Sequence, residues 1–298
     1  MQFILHARPP FRFLSVVHSH GWVQLAPFAF DEKTATFTYT DRLSSGRVLE
    51  YRISGTANWI TVKTGKLTKS EQTEVSARVT WMLGLEMDFS AFYAASKREP
   101  KLLQAEKLAQ GRVLRSPTLF EDVVKTILTT NTLWSATIRM NLNLINQYGP
   151  SLDGEIPLGG KTELRAFPNP DEIAASSPEV LREAVRVGYR APSIHELAVC
   201  VASGELDLES LKTSDLPTLE LRKELLKIKG VGPYAAANLL LILGRGDFIP
   251  VDSWALKLVS HEWYDSEPVT PKQVDEHFEK WGEFKGLAYW FWDWKYKG

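Results

Sequence analysis

The segment Leu226-Lys227-Ile228-Lys229-Gly230-Val231-Gly232-Pro233-Tyr234-Ala235-Ala236-Ala237-Asn238 constrains this chain more than any other. Leu221, Leu225, Leu226 and Ile228 keep a helical apolar rhythm that stops at a Gly-x-Gly turn. Gly230 stands where a helix C-cap is expected. Gly230 and Gly232 can take positive φ and carry no Cβ, so another backbone can approach closely. Pro233 suits the first turn of a new helix, where its missing N–H would be unpaired anyway. The turn therefore predicts two helices joined by a tight hairpin, with unpaired N–H groups that a phosphate can accept. Arg222, Lys223, Lys227 and Lys229 add positive charge nearby. The same residues also fit a glycine-capped turn with a few solvated lysines, and the segment alone leaves both readings open.

Pro250-Val251-Asp252 narrows the choice. Asp252 precedes Ser253-Trp254-Ala255-Leu256, so by itself it reads as a helix N-cap. Yet the order of hairpin, apolar helix, Gly-Arg-Gly-Asp loop and Pro-Val-Asp resembles the helix-hairpin-helix DNA glycosylase superfamily, in which this aspartate is catalytic. The resemblance continues upstream. Gly111-Arg112-Val113-Leu114-Arg115-Ser116-Pro117-Thr118-Leu119-Phe120-Glu121 leads into a helix, with Ser116 as its expected cap and Pro117 at its first position. That helix, running to Asn131, resembles the first core helix of these glycosylases and the damage-probing loop after it. Val187-Gly188-Tyr189-Arg190-Ala191 resembles the turn before their next helix, and Trp281-Gly282-Glu283-Phe284-Lys285-Gly286-Leu287-Ala288 resembles their last helix. The likeness runs in order from about residue 102 to the C-terminus.

Tyr234 decides the chemistry that the resemblance implies. Bifunctional members carry a lysine here, which attacks the sugar carbon and forms a Schiff base. A tyrosine cannot do so, and monofunctional alkylation-repair members place an aromatic here. The resemblance thus implies a glycosylase that uses water and lacks β-lyase activity, although Tyr234 also fits a surface or core aromatic. A base inside a duplex is unreachable, so the nucleotide must be extruded at a cost of roughly a few kcal/mol. By resemblance, Asn131 enters the vacated space. Glycosidic cleavage builds positive charge on the sugar, which the Asp252 carboxylate would stabilise while orienting or deprotonating water.

Further residues follow from the same likeness. Asn238 lies one turn past Tyr234 on the same helix face. Tyr289 and Asp293 fall where the last helix meets the flipped base, and Trp134 is a further pocket candidate beside the probing loop. Asp293 would balance a cationic alkylpurine and Tyr234 would stack on it. The run Tyr289-Trp290-Phe291-Trp292-Asp293-Trp294 fits core packing as well. The oxoguanine branch has glutamine and phenylalanine where Tyr289 and Asp293 stand. Backbone carbonyls of Leu226, Ile228 and Val231 resemble those that hold a monovalent cation (Na+ or K+) against a DNA phosphate in this family, with Lys227, Lys229, Gly230, Val231 and Gly232 forming the DNA-binding hairpin. No other cofactor is expected.

Composition sets the outer limits. The chain has 298 residues, 44% hydrophobic and 24% charged, enough for a full core in two or three subdomains. The longest apolar run, about residues 239–243, is far too short to span a bilayer. Residues 1–20 do not read as a secretory signal. The single cysteine, Cys200, excludes an intramolecular disulfide, fits a reducing compartment and cannot ligate an iron–sulfur cluster. The six histidines are scattered without zinc spacing. A net charge of −1 predicts modest non-specific DNA affinity through a local basic face.

Period-two patterning in residues 34–40, 47–54 and 58–63 predicts an antiparallel sheet across residues 1–65. Helical spacing takes over at residues 71–83, 100–108, 117–131 and 135–148, then, after a Gly- and Pro-rich loop over 149–169, at 170–175, 178–187, 191–203 and 218–228. The fold class is α+β, mainly α: a small antiparallel β-sheet domain, then two helical subdomains with the helix-hairpin-helix (about 221–243) at their cleft. The domains are drawn as 1–100, β-rich with a following helix, and 101–298, the glycosylase core. The expectation is a monomeric monofunctional DNA glycosylase of the alkylation-repair branch, acting in base excision repair on double-stranded DNA with a damaged base, without a membrane partner. It would work in the cytoplasm at the nucleoid or in a nucleus. An oxoguanine-type glycosylase, a non-catalytic helix-hairpin-helix DNA-binding protein and a helical protein-interaction module stand beside it; the last leaves the basic hairpin unexplained.

Overall fold

The computed structural model describes residues 1–152 and 164–292. Its single sheet is antiparallel with order β1-β5-β4-β3-β2, built from β1 (Gln2–His6), β2 (Phe28–Asp31), β3 (Thr36–Arg42), β4 (Val48–Thr56) and β5 (Trp59–Lys63). The three strands expected from alternation are β3, β4 and β5, each shifted by one or two residues. Tyr39 faces Tyr51 and Phe37 faces Ile53 across β3 and β4, and these side chains line one buried face with Ile60 and Val62. Alternation puts them all on one side of the pleat. β1 and β2 were not anticipated. β1 pairs with β5, 53 to 61 residues away in the chain, so only a non-local contact defines it.

Contacts divide the chain into two compact units, Met1–Met87 with Arg112–Glu209, and Asp88–Gly111 with Ser210–Gly298. A boundary at residue 100 does not coincide with this division. In the first unit α1 (Phe13–Val17) and α2 (Lys69–Leu83) accompany the sheet, α2 starting in a Thr68–Glu71 capping box. The chain then enters the second unit through α3 (Ser90–Ser96). The helix expected over 100–108 is only a 3-10 turn at Pro100–Leu102, followed by further turns with i→i+3 bonds, Ala105 to Leu102 and Ala109 to Glu106. Ala109 then adopts φ 49, which no helix continues through. Phe92 stacks obliquely against Phe284, and Glu99 and Lys101 pair with Lys280 and Glu262. These contacts tie this excursion to the C-terminal helices.

Back in the first unit, α4 (Leu119–Thr129) is capped by the Thr118 hydroxyl, which accepts the Glu121 N–H; Ser116 is not the cap. Instead the Ser116 N–H donates to the Asp122 carboxylate. Residues 119–128 are all buried, including three charged side chains. Lys125 donates to Glu121 at 2.5 Å and lies 4.0 Å from the Phe28 ring centre. The Tyr39 hydroxyl donates to Glu121 at 2.6 Å, and the Trp22 indole donates to Asp122 at 2.8 Å. Buried charges persist only when paired and hydrogen-bonded: Lys125 and Glu121 meet both needs, whereas Asp122 is held by hydrogen bonds alone. α5 (Trp134–Tyr148), α6 (Pro170–Ala174), α7 (Pro178–Val180) and α8 (Ala191–Ala202) complete the unit. The helix expected over 178–187 loosens into a π-type turn, Leu181–Val185, and ends at left-handed Arg186.

The second unit continues with α9 (Thr218–Lys227), α10 (Pro233–Ile242), α11 (Ser253–Trp263), α12 (Pro271–Phe278) and α13 (Lys285–Phe291). α9 and α10 are the expected helix pair. α9 ends at Ile228, whose N–H reaches the Leu225 carbonyl, so the cap falls two residues before Gly230. Gly230 has φ 88, the conformation that favours glycine, whereas Gly232 has φ −90 and is the N-cap of α10. Only the first glycine is needed for its dihedral.

Candidate active site

Asp252 caps α11. Its Oδ1 accepts the N–H groups of Trp254 and Ala255, both at 2.9 Å. The helix N-terminus favours negative charge on that side chain. The Tyr289 hydroxyl donates to the same oxygen at 3.5 Å. All three donors converge on Oδ1, and among the described residues Oδ2 has no hydrogen-bond partner. The carboxylate is thus clamped by one oxygen and presents the other.

Tyr289 projects from α13 and is 7% exposed. Burial first, then the Asp252 charge and the Tyr234 phenol, hold its pKa well above the usual tyrosine range. It therefore stays a neutral donor at any physiological pH. Tyr234, half-buried, is the second residue of α10, directly after Pro233. Asn238 follows one turn on, also half-buried, its amide 3.5 Å from the Tyr234 carbonyl. Tyr234, Asn238, Asp252 and Tyr289 all belong to the second unit. Asp293 lies outside the described residues.

The hairpin exposes Lys229, Gly230, Gly232 and Pro233 while Ile228 and Val231 turn into the core. A Cβ on Gly232 would meet no protein atom within 4 Å, so this edge faces open space. Its positive charge is weaker than the sequence suggests. Lys227 pairs with Glu224 at 2.7 Å and Lys223 with Glu220 at 2.8 Å, while Arg222 lies over the Phe248 ring. Such exposed pairs contribute about 0–1 kcal/mol each, little enough for a phosphate to compete.

In the first unit, Asn131 follows α4 in the left-handed region, φ 45, exposed, with Leu133 76% exposed beside it. Arg190, buried, donates to the carbonyls of Thr130, Ile127 and Val187 and so satisfies the open end of α4. Exposed Tyr189 sits 3.5 Å from the Asn131 amide. Trp134 opens α5, its indole donating to Gln24 at 2.9 Å and lying so close to Gly21 that a Cβ there would approach it to 2.4 Å. Asn131 therefore belongs to a loop, and Trp134 to the helix start after it, both braced within their own unit. Sequence reading passed over Arg190 as an anchor and over Trp254, 58% exposed on the first turn of α11. Its place two residues after Asp252 was the available signal.

A relative from Bacillus subtilis (strain 168), a DNA-3-methyladenine glycosylase, is 28% identical over 158 residues, 53% of this chain and 50% of that protein. The chain thus matches about half the length of that curated relative. A solved structure described as MBOgg1 in complex with low affinity DNA ligand superposes with TM-score 0.74 at 26% identity, covering 98% of this chain and 94% of that one. The 3-methyladenine DNA-glycosylase from Archaeoglobus fulgidus shares the fold, with TM-score 0.76 at 19% identity and coverage of 98% and 97%. The family model of the HhH-GPD superfamily base excision DNA repair proteins matches residues 124–284, from α4 to the threshold of α13, and the chain belongs to that superfamily.

Proposed function

We propose that this protein is a monofunctional DNA glycosylase that extrudes a damaged, alkylated base from double-stranded DNA and hydrolyses its N-glycosidic bond. The observation that carries this reading is the split role of Asp252: Oδ1 takes the helix cap and the Tyr289 hydroxyl, and Oδ2 is left to act. In the reaction, positive charge grows on the deoxyribose as the base departs, and Oδ2 stabilises it and orients water. One carboxylate suffices when the leaving base is already cationic. The Tyr234 phenol stacks on such a base and, lacking an amine, forms no Schiff base, so the abasic strand stays uncut. Asn131 and Leu133, exposed on a braced loop, supply the side chains that enter the space the base vacates. The hairpin N–H groups hold a backbone phosphate. The carbonyls of Leu226, Ile228 and Val231 are oxygen donors suited to an alkali cation. That of Ile228 accepts the Val231 N–H at 3.0 Å within the hairpin turn.

A second reading keeps one observation in its favour: the Oδ1 cap gives Asp252 a complete structural role without catalysis. The protein would then bind DNA and release nothing. Base release from duplexes carrying an alkylpurine, a deaminated base or oxidised guanine, analysed with and without alkali, separates the two. Strand cutting without alkali would overturn the monofunctional assignment alone.

A further inference from the structure

We propose that a cavity over Arg115, within the first unit, binds small organic carboxylates. The cavity holds about 510 Å³ and runs along the C-terminal half of α2, where Ala77, Thr80 and Trp81 line it, with Glu86, Met87 and Arg115 opposite. That volume suits a small ligand.

Arg115 is 4% exposed, yet its guanidinium is poorly satisfied. Its Nε has no hydrogen-bond partner, and one terminal nitrogen, Nη2, meets only the Met87 thioether at 2.7 Å. Among the described residues no carboxylate forms an ion pair with it; Asp122 acts only through space. Burial lowers its pKa to about 10. Arg112, three residues earlier and equally buried, shows what a structural arginine looks like here. Its nitrogens donate to the carbonyls of Gly84, Pro10, Arg8 and Met87. A buried cation without such partners is costly, and a thioether is a weak acceptor.

Nε and Nη2 form one edge of the guanidinium, a fork that matches the two oxygens of a carboxylate. The Met87 sulfur sits on the Nη2 end of that fork, and methionine rearranges readily. An entering carboxylate displaces the thioether and takes both N–H groups. The Trp81 ring, already stacked 4.3 Å from the guanidinium carbon, offers an apolar wall for a flat body. Glu86, exposed at the rim, repels a dianion more than a monoanion. Benzoate therefore has the right chemistry and inorganic phosphate does not. The inference is independent of the proposed activity on DNA.

The test is a titration of the intact protein with sodium benzoate and, at matched ionic strength, sodium phosphate. The thermal midpoint and the Trp81 indole N–H resonance, bonded to the Ser116 carbonyl, are followed together. Benzoate should raise the midpoint and shift the resonance saturably, with phosphate at least about tenfold weaker. Arg115→Gln should abolish the response. Ala77→Trp, at an exposed helix position that leaves the core intact, should block the mouth and weaken benzoate at least about tenfold, and serves if Arg115→Gln does not fold. No saturable benzoate response, an undiminished response in Ala77→Trp, or tighter binding of phosphate than of benzoate would each overturn the proposal.

Discussion

Tyr289 and Asp252 meet at 3.5 Å, a long bond beside the two 2.9 Å bonds of the cap. Tyr289→Phe should therefore leave the carboxylate in place and lower single-turnover base release by less than about tenfold. A loss near that of Asp252 variants would mean that the phenol, not the cap, positions the oxygen. Gly230, at φ 88, carries a different kind of constraint. Gly230→Ala should cost ~1–2 kcal/mol of stability, read from denaturant unfolding, and weaken DNA binding besides. Unchanged stability would show that the hairpin relaxes freely. Both parts of this site were unequally legible. A Pro-Val-Asp-Ser-Trp sequence announces a helix start by local chemistry, so Asp252 could be read directly. Its partner Tyr289 lies in the last described helix, and no periodicity reveals a contact at that separation.

At the scale of elements, α4 was recognised from its apolar spacing, but the burial of Glu121, Asp122 and Lys125 was not. Charged residues on a helix ordinarily mark a solvated face, and only β2 and β3, supplying Phe28 and Tyr39, make this face an interior one. The same limit hid β1, and the cap of α4 moved from Ser116 to Thr118 because Asp122 claims the Ser116 N–H. The network has a consequence for pH. Burial raises the Asp122 pKa to about 7, so the fold retains a proton that the unfolded chain releases near its usual 3.8. Stability from this residue is thus lost as pH rises between those values. Burial lowers His20 to about 4, so its contribution runs the other way: it is present above about 6.5 and is lost on acidification towards 4. Asp122→Asn removes the first slope and keeps the second. Its unfolding free energy should climb more steeply with pH between about 4 and 6.5 than that of the parent. Parallel curves from denaturant titrations would contradict the assignment.

For the molecule as a whole, a near-neutral charge and two lysines beside the hairpin, Lys223 and Lys227, that already hold glutamates argue that the proposed DNA binding rests on geometry more than on charge. The α+β class and the helix pair were evident from the sequence because both rest on local signals: alternation, glycine and proline placement, caps. The division into two units was not, because residues 88–111 join the second unit through Phe92, Glu99 and Lys101. The central claim concerns one oxygen atom, and Asp252→Asn tests it. The amide keeps Oδ1 for the cap and replaces only Oδ2. Base release from an alkylpurine duplex should fall by about 10²–10³-fold, while the thermal midpoint and abasic-DNA affinity stay near those of the parent, which itself leaves an uncut abasic strand. Undiminished release by Asp252→Asn, or no release by the parent from any damaged duplex, would contradict the account.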